Sequence, residues 1–192
     1  MGRPSVKAER TEEILNAFER CVARYGVEGT SLERIAEESG LRRSLLRYYI
    51  GNRDEMVEAL ADRFIARTEG YFRELEAELP EENRIGAMID HWFTPYEPED
   101  STTLVAEALI ASAERYPVVQ GKLRDWYDRL VGYFAAAISA DYPDVDKDRC
   151  WMVALGIVSI FFNHDSMGSL GLPSRYGKAS AEAARLLAST LG

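Results

Sequence analysis

Three arginines lie within six residues of each other and form a cluster of positive charge: Arg42, Arg43 and Arg47. Arg43 and Arg47 are four residues apart, so on a helix they share one face. A guanidinium group can bind a phosphate, or it can donate two hydrogen bonds to the O6 and N7 atoms of guanine. The cluster therefore predicts a nucleic-acid contact, the alternative being a charged face that meets only solvent.

Two short helices joined by a glycine turn are predicted to carry these arginines. The first begins with a capping box from Thr30 to Glu33, and the second spans residues 42–50. Gly40 lies between them, where a tight turn requires a positive φ. This is helix-turn-helix spacing, in which the first helix crosses the DNA backbone and the second enters the major groove.

Helical periodicity continues along the rest of the chain without convincing strand alternation, which predicts an all-α fold. Residues 1–51 are predicted to form a three-helix DNA-binding head, and residues 52–192 a larger helical domain for ligand binding and dimerisation. Helix one is expected at 8–25, with Tyr25 on its apolar face. A long helix over 52–79, capped by Asn52, links the two domains. Later helices are expected at 82–93, 102–116, 118–140, 146–163 and 179–191.

The charge distribution allows DNA binding although the chain carries a net charge of −9. Residues 1–50 hold nine basic residues against eight acidic ones, so the negative charge lies almost entirely in the remaining 142 residues. DNA responds to the local potential within a Debye length of about 10 Å, not to the total charge.

Enzymatic chemistry is not indicated by the residues present. His91 and His164 have no metal-ligand partner at helical spacing, and the sequence contains no phosphate loop or nucleophile elbow. No metal or cofactor is predicted. Cys21 and Cys150 lie in apolar patterns and are expected to be buried thiols. The polar N-terminus is not a signal peptide, and the longest apolar run, residues 151–162, is too short to span a bilayer, so a cytoplasmic protein without a membrane partner is expected.

The segment from Tyr25 to Leu60, YGVEGTSLERIAEESGLRRSLLRYYIGNRDEMVEAL, resembles the N-terminal pattern of the TetR family of bacterial transcriptional regulators. The shared features are a glycine after helix one, a Thr-x-x-x-x-Ile-Ala helix, a glycine turn and a recognition helix that ends in paired aromatic positions. The resemblance implies that the protein regulates transcription. It covers about residues 8–60, and the length and helix count beyond them also fit the family.

The resemblance also implies which residues touch DNA. Thr30 and Ser31 would bind phosphate at the start of the second helix, and Arg53, where the family usually has lysine, would bind another. A cation in the first turn of a helix opposes the helix dipole, which supports a phosphate partner for Arg53, the alternative being a solvated side chain. The remaining contacts that the resemblance implies lie on the recognition helix: Arg42, Arg43, Ser44 and Tyr48. Arg47 is expected to contact DNA because it belongs to the arginine cluster.

Several positions depart from the family pattern. Because of these departures, the operator sequence cannot be inferred by analogy with the family. Arg42 replaces a common serine, Arg47 a common tyrosine, Ile50 a common phenylalanine and Gly51 a common proline. Leu45 stands where a hydroxyl residue often faces DNA; packing in the core is the favoured interpretation, and contact with a thymine methyl group is the alternative.

The second domain is expected, by the same resemblance, to bind a small molecule and to dimerise through its last two helices. A pocket between the middle helices would be lined by residues from this set: Met88, His91, Trp92, Tyr96, Trp126, Tyr127, Phe161 and Asn163. The segment 151–162 is apolar on nearly all sides, so it must be buried on more than one face. A symmetric dimer would read a pseudo-palindromic operator in double-stranded DNA.

The expected function is that of a ligand-responsive repressor, which releases its operator when a small molecule binds. The alternative within the same fold is a structural, nucleoid-associated DNA-binding protein that acts through a protein partner.

Overall fold

The computed structural model describes residues 6–93 and 102–192, and within these residues it is built of helices without strands. The helices are α1 (Val6–Gly29), α2 (Leu32–Ser39), α3 (Arg43–Ile50), α4 (Arg53–Glu78), α5 (Arg84–Trp92), α6 (Thr102–Ser112), α7 (Pro117–Asp141), α8 (Lys147–Ser166) and α9 (Arg175–Ala188). The predicted all-α class is confirmed.

Several helix ends, including those of α1 and α8, differ from the predictions by up to four residues, and α6 and α9 are two examples. The helix expected to run to residue 116 ends at Ser112 and continues as a 3₁₀ turn over Ala113–Arg115. The last helix begins at Arg175, four residues before the predicted start. Both differences lie at helix ends, where local sequence signals are weakest.

The chain forms two compact units that do not follow the predicted boundary at residue 51. Of the residues that the structure describes, the first unit holds 6–68 and 102–124, and the second holds 69–93 and 125–192. Helix α4 contributes to both, as does α7. The boundary between a DNA-binding and a ligand-binding part stays a functional prediction.

The core of the first unit contains the apolar side chains that the helical periodicity placed inward. Phe18, Ile35 and Leu46 come from α1, α2 and α3 and are fully buried. Helix α1 packs against all of α2, α3 and α6. Helices α1, α2 and α3 are thereby held at fixed angles around one small core.

A kink at Gly26 shapes the end of α1 and corrects one prediction. Gly26 has φ 69° and ψ 171°, a conformation that L-residues rarely adopt, and the helical turn after it buries Val27. Tyr25 was expected in the core but is 47% exposed, and the Arg34 guanidinium carbon lies 4.1 Å from its ring centroid. Tyr25 is the last residue before the kink, and its ring lies against Arg34 instead of in the core.

A buried carboxylate joins α1 to α4 within the first unit. Glu19 is 6% exposed, and its two oxygens accept from Arg63 Nε at 3.1 Å and Arg67 Nη1 at 2.7 Å. A buried charge is tolerated when it is paired in this way. The first half of α4 is therefore tied to α1 by these ion pairs.

The second unit has an aromatic core around Trp92. Its ring centroid lies 4.3 Å from that of Phe161, 4.6 Å from that of Phe134 and 5.4 Å from that of Phe72. Helices α8 and α9 approach closely at Gly156, where an added Cβ would lie 2.5 Å from Leu187 Cδ2. Cys150 is buried here, and Cys21 is buried in the first unit, as predicted.

Candidate DNA-binding surface

The turn between α2 and α3 has the geometry that the sequence predicted. Gly40 ends α2 with φ 69° and ψ 10°, the left-handed conformation in which glycine meets no steric penalty. Helix α3 then begins at Arg43, with Arg42 as its N-terminal flanking residue. The two helices and their glycine turn form a helix-turn-helix unit.

The cap of α2 lies one residue later than predicted. Ser31 is the N-cap, and its hydroxyl accepts from the Arg34 backbone N–H at 3.3 Å. Thr30 is only 2% exposed, and its hydroxyl donates to the Gly26 carbonyl oxygen at 2.7 Å. The predicted Thr30 contact with phosphate is therefore wrong for its side chain, whereas Ser31 is exposed and its contact with phosphate stays a prediction.

Gly51, which stands where the family often has proline, is required by the backbone. Its φ is +96°, and proline is restricted to a φ near −65°. A Cβ at this position would also lie 2.1 Å from the Glu55 carboxylate. That carboxylate accepts from the Asn52 backbone N–H at 2.7 Å, while the Asn52 side chain accepts from the Glu55 N–H at 3.0 Å. The predicted Asn52 cap of α4 is thus present as a reciprocal pair.

Arg53 has intramolecular partners that the sequence did not suggest. Its guanidinium donates to the Thr30 carbonyl oxygen at 2.5 Å and to the Val27 carbonyl oxygen. These carbonyls belong to the turn between α1 and α2, so Arg53 joins the start of α4 to that turn. The predicted phosphate contact is not its main role in this structure, and neither is free solvation.

Replacing Arg53 with lysine is expected to destabilise the protein by roughly 1–2 kcal/mol, because an ammonium cannot reproduce the planar fork that spans two carbonyls. Urea unfolding monitored by circular dichroism measures this change. Arg73→Lys, at an exposed arginine of α4, is the matched control. If Arg53 served only as a positive charge for DNA, Arg53→Lys would unfold like the wild type.

Helix α3 buries one face and exposes the other. Leu46 is fully buried, and successive residues advance by about 100°, so Ser44 and Tyr48 point away from the core. Tyr48 is 75% exposed. Leu45, for which core packing was the favoured interpretation, is 37% exposed and flanks the same outer face. We call the outward-facing set the recognition surface: Arg42, Arg43, Ser44, Leu45, Arg47 and Tyr48.

The arginines of this region divide into those with intramolecular partners and those without. Arg20 and Arg24 pair with Glu38, at 2.6 and 3.4 Å, and Arg43 pairs with Glu33 at 2.5 Å. Among the arginines that the structure describes between residues 6 and 53, only Arg42 and Arg47 have no carboxylate, carbonyl or ring partner. Two uncommitted, exposed guanidiniums therefore lie at the second helix, one at its N-terminal flank and one within it.

Comparisons with known proteins agree with this geometry. Residues 14–60 match the family model for bacterial regulatory proteins of the tetR family. The N-terminal domain belongs to the TetR family. The match contains the whole of α2 and α3 and most of α1, and it confirms the resemblance found in the sequence. No curated protein matches the sequence.

Solved structures extend the likeness to nearly the whole chain. A TetR transcription regulator from Haloarcula marismortui has a TM-score of 0.78 at 18% identity, covering 96% of this chain and 98% of its own. A transcriptional regulator from Rhodococcus sp. Rha1 has a TM-score of 0.75 at 16% identity, covering 94% and 95%. A regulator from Saccharomonospora viridis, in complex with choline, has a TM-score of 0.77 at 16% identity, covering 93% and 94%. The chain therefore has the fold of these regulators.

A cavity of about 230 Å³ lies in the second unit, between the end of α4, α5 and α7. Most of its lining is apolar, and Glu76 and Arg84 provide the charged groups. The lining residues are Phe72, Leu75, Glu76, Leu79, Arg84, Met88, Tyr133, Ala136, Ala137 and Ala140. Of the residues predicted for ligand binding, Met88 alone lines this cavity, and Tyr96 lies outside the described residues.

The other predicted ligand residues are placed elsewhere. Trp92 and Phe161 pack against each other, and Trp126 and Tyr127 both contact the ring of Phe162. His91 bonds through Nε2 to the exposed Tyr71 hydroxyl, and Asn163 is exposed. The aromatic stripe thus packs mainly on itself. Within it, Trp92 Nε1 is a buried donor without a hydrogen-bond partner.

Proposed function

We propose that the protein is a ligand-responsive repressor that binds DNA as a dimer through the recognition surface. The single observation that supports DNA reading by α3 is the pair of uncommitted, exposed arginines at the second helix of a helix-turn-helix, with Arg42 at its N-terminal flank and Arg47 within it. In such motifs the N-terminal part of this helix contacts base edges in the major groove. Leu45 adds an apolar group that suits a thymine methyl.

The proposal is tested by selecting bound sequences from randomised duplex DNA with the full-length protein. A regulator is expected to enrich one motif with pseudo-two-fold symmetry, with half-sites a multiple of roughly 34–36 Å apart. Binding without an enriched motif would contradict sequence reading by α3. Mapping of the occupied chromosomal sites distinguishes a repressor from the alternative, a nucleoid-associated protein. The nucleoid-associated protein occupies many dispersed sites, whereas a repressor occupies only a few promoters.

Dimerisation through α8 and α9 is supported by exposed apolar side chains on these helices. Trp151 and Met152 of α8 are 45% and 65% exposed, and Leu186 of α9 is 61% exposed. The helical stretch Lys147–Leu170 is long and apolar enough, by length and composition, to cross a membrane, yet only 28% of its most apolar window is buried in the single chain. A second copy of this chain would cover that face, as in symmetric helical dimers.

The ligand response is assigned to the second unit, where the cavity next to α4 offers an apolar site with two charged groups. Small-molecule sites in proteins have this composition. The choline complex of the Saccharomonospora viridis neighbour supports a small-molecule site in this fold. Because α4 begins beside α3 and ends at the cavity, a ligand with different affinities for two positions of α4 would shift DNA binding.

Ala136→Phe is expected to weaken the effect of a bound ligand on DNA affinity by roughly tenfold or more, because an aromatic ring at this exposed lining position fills the cavity. The DNA affinity of the ligand-free protein should stay within about twofold. Compounds that raise the melting temperature are first found in a panel of small, mostly apolar molecules, and DNA binding is then measured with and without each.

Ala77→Phe is the matched control, since Ala77 is an exposed alanine of α4 that does not line the cavity. An unchanged ligand response in Ala136→Phe would place the ligand elsewhere. Ligands that bind the protein and leave DNA affinity identical would contradict the proposed regulation.

A further inference from the structure

One ion pair crosses the turn between α2 and α3 on the outer side of the helix-turn-helix. Arg43 Nη1 lies 2.5 Å from Glu33 Oε1, and the two side chains are 59% and 50% exposed. Glu33 is in the first turn of α2, and Arg43 is the first residue of α3. The pair therefore joins the start of one helix to the start of the next, at the edge of the recognition surface and outside the core.

The carboxylate of this pair is anchored on its own helix. Hydrogen bonds from the Glu33 backbone N–H and the Ser31 hydroxyl, together with the charge of Arg43, lower the pKa of Glu33. The carboxylate is thus a fixed, ionised acceptor at the N-terminus of α2, where negative charge is favourable. Arg43 uses one guanidinium nitrogen for the contact, and its other N–H groups stay available.

A contribution to the stability of the fold does not explain why a carboxylate lies at this position. Exposed ion pairs contribute little to stability, and a negative charge on a DNA-facing surface opposes phosphate binding. An arginine whose rotamer is already restrained loses less side-chain entropy when it binds. Arg42 and Arg47 have no such support, so Arg43 is the one arginine of the recognition surface whose direction is set in advance.

We propose that Glu33 is a positioning residue that aims Arg43 at the major-groove edge of one guanine, making this pair a determinant of base specificity. The inference rests on the proposed DNA-binding function and deepens it. Two free N–H groups of a guanidinium match the O6 and N7 acceptors of guanine, which no other base pair presents in the same place. Arg42 and Arg47 then contribute mainly through phosphates and other bases.

The test compares motifs selected from randomised duplex DNA by four full-length proteins: wild type, Glu33→Gln, Arg43→Lys and Glu37→Gln. Glu37→Gln is the matched control because Glu37 is an exposed glutamate of the same helix and its substitution removes the same charge. Melting temperatures first establish that each variant is folded.

In Glu33→Gln we expect the preference for guanine at one position per half-site to fall by roughly fivefold or more, a substantial part of what a bidentate contact supplies. Arg43→Lys should lose the preference at the same position. Affinity of Glu33→Gln for unselected duplex should stay equal or rise, because a negative charge has been removed. Glu37→Gln should keep the wild-type motif.

Two results would overturn the inference. An unchanged motif in Glu33→Gln would mean that Arg43 needs no positioning. A loss at a position different from the one affected by Arg43→Lys would mean that Glu33 contacts a base itself. Failure of the wild type to select any motif is a separate outcome, because it contradicts the proposed function and not the role of this pair alone.

Discussion

The double substitution of Arg43 and Arg47 by alanine is expected to weaken binding to the selected duplex by about 10²–10³-fold. Each base or phosphate contact of this kind contributes roughly 1–3 kcal/mol, and every 1.4 kcal/mol corresponds to tenfold. The slope of log affinity against log salt should also become shallower, by about 0.9 for each phosphate that the variant no longer neutralises. Fluorescence anisotropy with labelled duplex at several salt concentrations measures both quantities.

The matched control is Arg73→Ala, which removes a positive charge from an exposed position of α4. It should leave the affinity within about twofold and the salt slope unchanged, because charges farther away than a Debye length are screened. If the double variant kept both the wild-type affinity and the wild-type slope, α3 would not be the helix that meets DNA.

Leu186→Arg is expected to raise the dissociation constant of the dimer by about 100-fold or more. The side chain is 61% exposed in the single chain, and in the proposed dimer it lies at an apolar interface between two copies of α8 and α9. Burying an unpaired charge costs several kcal/mol, and a symmetric dimer would contain the substitution twice. Sedimentation velocity over a range of protein concentrations measures the dissociation constant.

Ile110→Arg provides the comparison, because Ile110 is an aliphatic residue of α6 that is 49% exposed and lies outside the proposed interface. It should sediment as the wild type does. Leu186→Arg should also weaken operator binding, since a monomer contacts one half-site only. An unchanged sedimentation coefficient in Leu186→Arg would require a dimer interface on another face, or a monomeric protein.

The helix-turn-helix was readable from the sequence because its signals are local. The apolar positions Ile35 and Leu46 recur at helical spacing, and both are fully buried. Gly40 takes the predicted left-handed conformation, and Asn52 and Glu55 form the cap that their spacing indicated. The family match over residues 14–60 covers these same elements.

The errors in the candidate site have both local and long-range causes. The Thr30 hydroxyl bonds to a carbonyl that the Gly26 kink leaves available, so Ser31 becomes the cap instead. Arg53 donates to carbonyls 23 and 26 residues earlier in the chain. A projection of α3 around the buried Leu46 would have placed Leu45 at the exposed flank, and the Thr30 bond spans only four residues, so only the partners of Arg53 lie too far away in sequence for spacing to identify them.

The prediction of the ligand-binding residues shows more strongly what a sequence cannot specify. Aromatic residues at helical spacing predicted a pocket, yet Trp92, Phe161 and their neighbours pack ring against ring, and the cavity opens beside Tyr133 and Arg84. Side-chain volume and periodicity indicate that a residue faces inward. They do not indicate whether the space opposite is filled, since that depends on residues from other helices.

By itself the sequence determined the helices, the turn that joins α2 to α3, the basic character of α3 and the family of the N-terminal domain. The tertiary structure alone decided which arginines are free, which carboxylate holds Arg43, and where a cavity remains. The physical reason is the distance along the chain between the groups that interact. Helices, caps and turns arise from backbone hydrogen bonds and side chains a few residues apart. Ion pairs and cavities depend on groups brought together only when the helices pack.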